Sequence, residues 1–392
     1  MNNDYKEYAS KNWVKEQLVE SVVALEGALE NKADVEEVFK KLDIATIKAG
    51  TTWTASTMPI SSYWESVTYG DDKFVAVADG STKAAYSTDG VSWNASTMPS
   101  YASWLSVTYG DGKFVAVANG KAAYSTDGIT WTASDPPSGK WQSVTYGDGK
   151  FVVVRSDTSN GACYSIDGIA WTSSTMPSFE IWYSVTYGDG KFVAVAGGTS
   201  TSNVAAYSTD GITWTKSTLP SSVKWRSVTY GDGKFVAVAN STDAAAYSTD
   251  GITWIASTMP SSQSWNSVTY GDGMFVAGAW GTDVAAYSTD GVSWNASTMP
   301  NSKSWKSVTY GDGKFVTVAS NGNAAAYSES ATRLSQSGED VTSEVSDVLG
   351  VNTKADKNHT HDASALILTD TATGTKYKLI VTNSELNIVE IA

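Results

Sequence analysis

Two histidines, His359 and His361, are the only imidazoles in 392 residues. Separated by one residue, they share a face wherever the segment is extended. Three copies of the pair around an axis would present six imidazoles, an octahedral set suited to iron or another transition metal. In a lone chain the pair is an exposed loop. No other cofactor is implied. Arginine is as scarce, at Arg155, Arg226 and Arg333. General acid–base work, if any, falls to carboxylates, with Glu65, Asp79, Asp157, Glu180, Asp243 and Asp283 as candidates. Cys163 is the single cysteine, which excludes an intrachain disulfide. It replaces an alanine of sister segments and reads as a small core residue.

Stacking chemistry has better candidates. Trp280, Tyr63, Tyr101, Phe179 and Tyr183 lie in or beside segments that differ between otherwise similar stretches of chain. An aromatic face beside polar loops takes the apolar face of a sugar ring. Arg155 and Arg226 join them as candidate ligand-binding residues.

The elements that position these groups come from a repeat. W-x-S-V-T-Y-G-D begins at Trp64, Trp104, Trp141, Trp182, Trp225, Trp265 and Trp305. Spacings of 37 to 43 residues fit the blades of a β-propeller. Within one unit, 104–109, 114–118, 122–126 and 129–134 read as four strands. Gly110-Asp111-Gly112-Lys113 and Asp127-Gly128 are the hairpin turns, since Asp-Gly supplies positive φ angles. The recurring Trp, Tyr and Phe pack between blades.

The array ends unevenly. The last unit stops after Tyr327-Ser328 without a fourth strand, while 52–59, bearing Trp53, is a fourth strand with no unit before it. The two balance if the ring closes on itself, which also removes exposed sheet edges. The expected fold is mainly β: a seven-bladed propeller over 51–330 closed by its N-terminal strand. Both kinds of D-G turn then share one face of the ring. The other face carries 79–83, 119–121, 155–161, 197–204, 240–243, 280–283 and 320–323, plus the inter-blade connections. Divergent loops on a constant frame are how a binding surface is built.

The flanks read differently. Over 1–50, Lys11 to Leu42 reads as a helical stem, with Leu18, Val22, Leu25 and Leu29 at coiled-coil spacing. A second short helix carries Val35, Val38, Phe39 and Leu42. Over 331–392 a polar linker, a short helix around Val341, Val345 and Val348, and a small β meander with turns at Thr373-Gly374 and Asn383-Ser384 are expected.

A net charge of −14 disfavours nucleic acid and anionic membranes as partners. No segment is apolar enough for membrane insertion, and the N-terminus carries no secretory signal, so synthesis in a cytoplasm is expected.

The S-T-D-G-[IV]-[TS]-W turn, as in Ser125 to Trp131, resembles the Asp-box of sialidase-like propellers. The flanks (Asn31-Lys32-Ala33-Asp34, 354–361 and the C-terminal meander) resemble phage tail fibre and receptor-binding proteins, or fibres of tail-like bacteriocin particles. In long trimeric tail fibres an H-x-H pair binds iron. The resemblance implies a virion tail or tail-like particle component, made in the host cytoplasm. It also implies a homotrimer that joins other tail or baseplate proteins through its flanks. Its partner would be a bacterial cell-surface glycan or protein. A sialidase-type enzyme needs three arginines, and 51–330 holds Arg155 and Arg226 alone and no histidine. A non-enzymatic binding head is therefore expected, with a tailspike-like glycosidase and a structural spacer as alternatives.

Overall fold

The computed structural model describes residues 42–336, with side chains from 48 to 330, and the short strands Glu339–Asp340, Ile367–Thr369, Lys376–Thr382 and Glu385–Ile391. It divides into two compact units: Ala49–Glu329, and Met1–Lys48 with Ser330–Ala392. All elements among the described residues are β-strands.

In Ala49–Glu329 each W-x-S-V-T-Y-G-D segment opens a four-stranded antiparallel sheet, in chain order in all but the last. One sheet comprises Trp104–Gly110, Lys113–Ala118, Lys121–Ser125 and Thr132–Ser134. The first hairpin closes on Asp111 and Gly112, at φ 47° and 70°, two successive residues in the left-handed region. The second closes on Asp127. Its Oδ1 accepts the Ile129 and Thr130 backbone N–H groups at 2.8 and 2.7 Å and the Ser125 hydroxyl at 2.8 Å. The Ser125 Oγ in turn accepts the Gly128 N–H at 2.9 Å.

The core lies between neighbouring sheets. Val75 and Val77 of one sheet meet Trp104, Phe114 and Ala116 of the next, all buried. Each first-strand Trp is fully buried, and its indole N–H donates to the carbonyl four residues earlier, as from Trp104 to Ser100 at 3.2 Å. That bond lets an indole lie in the interior without an unpaired polar atom. The first-strand Tyr meets the second-strand Phe with ring centroids 4.7–4.9 Å apart.

Two chains of contacts run from sheet to sheet and return to their start. Val107 N–H donates to Ser66 Oγ at 3.1 Å, Val144 to Ser106, and so on, until Val67 N–H donates to Ser307 Oγ at 3.2 Å. Likewise Gly70 lies under Tyr109, and Gly311 under Tyr69; a Cβ on either would stand 2.0 Å from the ring. First strands present an open edge toward the centre, and the serine hydroxyls satisfy part of it.

Thr54–Gly70 serves two sheets. Its start pairs with Gly322–Glu329 in the register Thr54↔Tyr327 to Thr57↔Ala324, supplying the fourth strand that the last repeat lacks. Gly50 N–H donates to Ser328 Oγ at 2.6 Å. This is the Ser–Gly bond of every second hairpin, here made between residues 278 apart in sequence. Met274 stands where six repeats carry lysine, and it is buried beside Ala49 and Phe315. Ala49 of the entering chain packs against it where the other sheets bring a second-hairpin aspartate, so an ammonium there would lack that carboxylate.

In the other unit, Leu42–Ile47 pairs antiparallel with Ala331–Gln336, and Ile367–Thr369, Lys376–Thr382 and Glu385–Ile391 form a three-stranded antiparallel sheet in chain order. Leu42, read from sequence as the last residue of a helix, instead begins a strand, and 43–47 of the expected stem are β. Ala331–Gln336, read as the start of a polar linker, is a strand because it has Leu42–Ile47 to pair with. The remainder of both expected N-terminal helices, and the short helix around Val345, lie outside the described residues.

Candidate functional site

The turns of both hairpins lie at one rim of Ala49–Glu329, because antiparallel strands alternate in direction; the first sheet's first hairpin turns on Asp71-Asp72, and at the last sheet Gly50 of the entering chain stands in for the second D-G turn. At this rim the side chains are committed to the frame. Lys113 pairs with Asp111 at 3.5 Å, and the same Lys–Asp bridge recurs along the first hairpins. Burial acts to raise the Asp127 carboxyl, but the backbone N–H groups of Thr130 and Ile129 and the Ser125 hydroxyl outweigh it. The net value falls to about 2. Asp210 and Asp250 reach about 2 for the same reasons.

At the opposite rim the repeats diverge. The structure adds a local device there: in all seven first strands the register slips between the Trp and the Ser of W-x-S, a β-bulge at the residue between. A bulge re-aims one side chain out of the alternation. The bulged residues are Glu65, Leu105, Gln142, Tyr183, Arg226, Asn266 and Lys306, no two alike. They stand on the innermost strands, around the mouth of the ring.

Several meet. Lys306 Nζ lies 2.9 Å from Glu65 Oε1, joining the last repeat to the first. Asn266 donates to the Lys306 carbonyl at 2.7 Å. Arg226 sits over the Tyr183 ring, 4.4 Å from its centroid. Tyr183 lies in turn against Gly198, where a Cβ would approach Cδ2 to 2.1 Å. Burial raises the Glu65 carboxyl; Lys306 opposes that, Asp79 adds to it, and Arg226 also lowers it. Burial likewise raises the Tyr183 hydroxyl, against the charge of Arg226. Arg226 Nε is buried without a hydrogen-bond partner.

The other sequence-derived candidates are placed individually. Trp280, Tyr63, Tyr101 and Phe179 are exposed, at 49, 56, 70 and 72%. They stand in different repeats: Tyr63 opposite Asp79 in the first, Tyr101 ahead of the second, Phe179 ahead of the fourth and Trp280 in the sixth. Tyr183 is not among the exposed aromatics. Gly198 and Arg226 cover it, so it serves as a seat for a guanidinium rather than a free stacking platform. Arg155 is held by Asp157 and lies 5.4 Å from the Trp141 ring, packed against Gly139 and Gly161. The charge and hydrogen bonds of Arg155 leave the Asp157 carboxyl depressed, although burial acts to raise it. Glu180 accepts from Ser202 Oγ at 3.2 Å. Asp243 and Asp283 accept from the preceding threonines. Cys163 is buried, and burial pushes its thiol far up. His359 and His361 lie outside the described residues. Among the described residues no cluster of three His, Cys, Asp or Glu is arranged to hold a metal.

Sequence reasoning singled out Tyr183 and Arg226 but left Glu65, Asn266 and Lys306 out of the ligand set. All five occupy the column after the repeat Trp, and the divergence of that column was the available signal.

No family model matches the sequence, and no curated protein does. Solved structures match in fold. A streptogramin B lyase aligns with a TM-score of 0.64 at 12% identity, over 72% of this chain and 100% of the lyase. A catalytically inactive virginiamycin B lyase from Staphylococcus aureus, with quinupristin, aligns at 0.63 and 12%, over 70% and 99%. YCF48 from Cyanidioschyzon merolae aligns at 0.55 and 14%, over 71% and 98%. These likenesses, with the sheet topology, define a β-propeller. At such identities they carry the fold alone.

Proposed function

We propose that residues 49–329 form a seven-bladed β-propeller closed by the strand from Thr54, and that it is a non-enzymatic recognition head. Its divergent rim takes a bacterial cell-surface glycan or protein. The observation that supports this most is the contrast between rims on one frame. The turns are nearly invariant and engaged internally, whereas the bulge column and adjacent loops differ in every repeat and leave four aromatics exposed. Ala49 and Glu329, the ends of this unit, stand at the constant rim, beside the Gly50–Ser328 bond.

The carrier we infer is a phage tail or tail-like particle, with residues 1–50 and 331–392 as the attaching parts, trimeric about a short helical stem. His359 and His361 from three chains would hold the transition metal. The test is adsorption of the purified full-length protein to bacterial cells. Binding that falls tenfold or more in a Trp280→Ala, Tyr101→Ala, Phe179→Ala triple variant supports the reading. Adsorption indifferent to that variant and to exchange of the neighbouring loops overturns the face assignment.

One observation favours the hydrolytic alternative. Glu65 is a buried carboxyl with a raised pKa that feels the charge of Asp79, the pattern of a general acid beside a second carboxylate. Its ion pair with Lys306 weighs against a proton-donating role. Depolymerisation of surface polysaccharide, lost in Glu65→Gln and in Asp79→Asn, would establish it.

A further inference from the structure

We propose that the mouth of the ring holds a subsite for the carboxylate of an acidic sugar, read by Arg226. The inference rests on the recognition reading above and narrows its ligand.

The bulge column contains two cations, Arg226 and Lys306, and one anion, Glu65. Lys306 is already answered by Glu65 at 2.9 Å. Arg226 makes no ion pair among the described residues, and its Nε is buried with no hydrogen-bond partner. An arginine donor withdrawn from water and left unpaired is costly unless something arrives to take it. The side chain is also positioned in advance. Its guanidinium lies over the Tyr183 ring and hydrogen-bonds the Tyr183 hydroxyl, and Tyr183 is backed by Gly198, a residue at φ 67° whose missing Cβ makes room for the ring. The contact with Tyr183 holds the guanidinium at the mouth, and a guanidinium has more N–H donors than one hydroxyl can take, so donors remain for a carboxylate. Glu65 on Lys306 shows that this mouth accommodates a carboxylate on a cation.

A sugar is favoured over a peptide by what surrounds the mouth. Tyr63, two residues before Glu65 and cross-strand from Asp79, is exposed, and the other exposed rim aromatics offer apolar faces beside hydroxyl-rich loops. The charged groups that act on this mouth are Glu65, Asp79, Arg226 and Lys306. With a chain charge of −14, attraction of an anion must be local, and salt screens the remainder within ~8 Å.

The experiment uses the full-length protein on an array of galacturonate-, glucuronate- and mannuronate-bearing oligosaccharides, each beside its carboxyl-reduced counterpart. Whole-cell adsorption is measured in parallel. At least one acidic oligosaccharide should bind about tenfold or more tighter than its reduced form, the worth of a charge-assisted hydrogen bond. Arg226→Gln should erase that ratio, and Arg226→Lys should retain part of it, with melting temperatures close to wild type. The comparison of acid with reduced sugar needs no variant, so it stands even if Arg226→Gln fails to fold. Equal binding of acidic and reduced forms overturns the subsite and leaves the recognition head intact. Adsorption to cells with no binding to any acidic oligosaccharide, or binding competed only by peptides, does the same. Absence of both cell and glycan binding overturns the subsite and the recognition reading together.

Discussion

Two tryptophans on one ring carry opposite assignments. Trp104 recurs in every repeat, is wholly buried and donates to its own connection; Trp280 occurs once, at a position where other repeats carry Asp79, Asn119 or Ser320, and is half exposed. The same contrast separates the two rims. Residues repeated without change hold the frame, and residues that change are released from that duty. The largest effect should test this directly. Trp104→Ala is expected to cost ~3–5 kcal/mol in denaturant unfolding, the range for a large buried aromatic. Trp280→Ala should stay within about 0.5 kcal/mol, as for a surface position, while weakening adsorption. Comparable destabilisation by both would erase the distinction between rims.

The closing sheet sharpens the comparison among repeats that otherwise look alike. Met274 occupies the lysine position of the first hairpin only where Ala49 lies over it. Met274→Lys should cost about 2 kcal/mol by burying an ammonium. Lys113→Met, on a turn whose surface ion pair contributes little, should change stability by less than about 0.5 kcal/mol. Equal effects would mean that the entering chain does not seal the ring at that turn.

Acid separates the rims by sign. The turn aspartates Asp127, Asp210 and Asp250 are depressed from 3.8 to about 2. Their stabilisation is fully present above the unfolded value and is lost as pH falls through the folded one. Glu65 at the mouth is raised, so its contribution is present below 4.5 and is lost as pH rises through its folded value. Melting temperature should therefore fall as pH drops from 3.8 toward 2, and less steeply in Asp127→Asn. Glu65→Gln should leave that acid limb unchanged. An acid limb indifferent to the turn aspartates would separate their hydrogen bonds from stability.

What the sequence made legible follows from its period. The Trp64-to-Trp305 spacing placed the sheets, the D-G pairs placed the turns, and the orphan strand around Trp53 announced its partner near Tyr327. These signals are local, repeated and therefore redundant. The mouth was legible only as a varied column. That Arg226 rests on Tyr183 and that Lys306 reaches Glu65 across the closing boundary depend on a bulge and on side chains from separate strands. No periodicity encodes them. The strand Leu42–Ile47 was missed because its partner, Ala331–Gln336, lies almost 300 residues away and neither segment repeats.

The smallest effect probes a defect in the frame. Gly278 stands where the six sister repeats place valine in the second strand, in Val77, Val117, Val154, Val195, Val238 and Val318. Its φ lies outside the left-handed region, and an added Cβ would meet only Trp305 Cβ, at 3.9 Å. The glycine is thus required neither by backbone conformation nor by crowding, unlike Gly70 or Gly311 beneath their tyrosines. Gly278→Ala should stabilise by roughly 0.4–1 kcal/mol, since alanine restricts the unfolded chain and adds buried surface without strain. Gly147→Ala, whose Cβ would stand 2.0 Å from the Tyr187 ring, should instead destabilise by about 1–3 kcal/mol. Thermal melts of the two variants, read side by side, check whether divergence in the sixth repeat reaches from Trp280 into the core as relaxed packing. Destabilisation by Gly278→Ala would show that the sixth sheet uses the missing side chain, and that its irregularity is structural rather than tolerated.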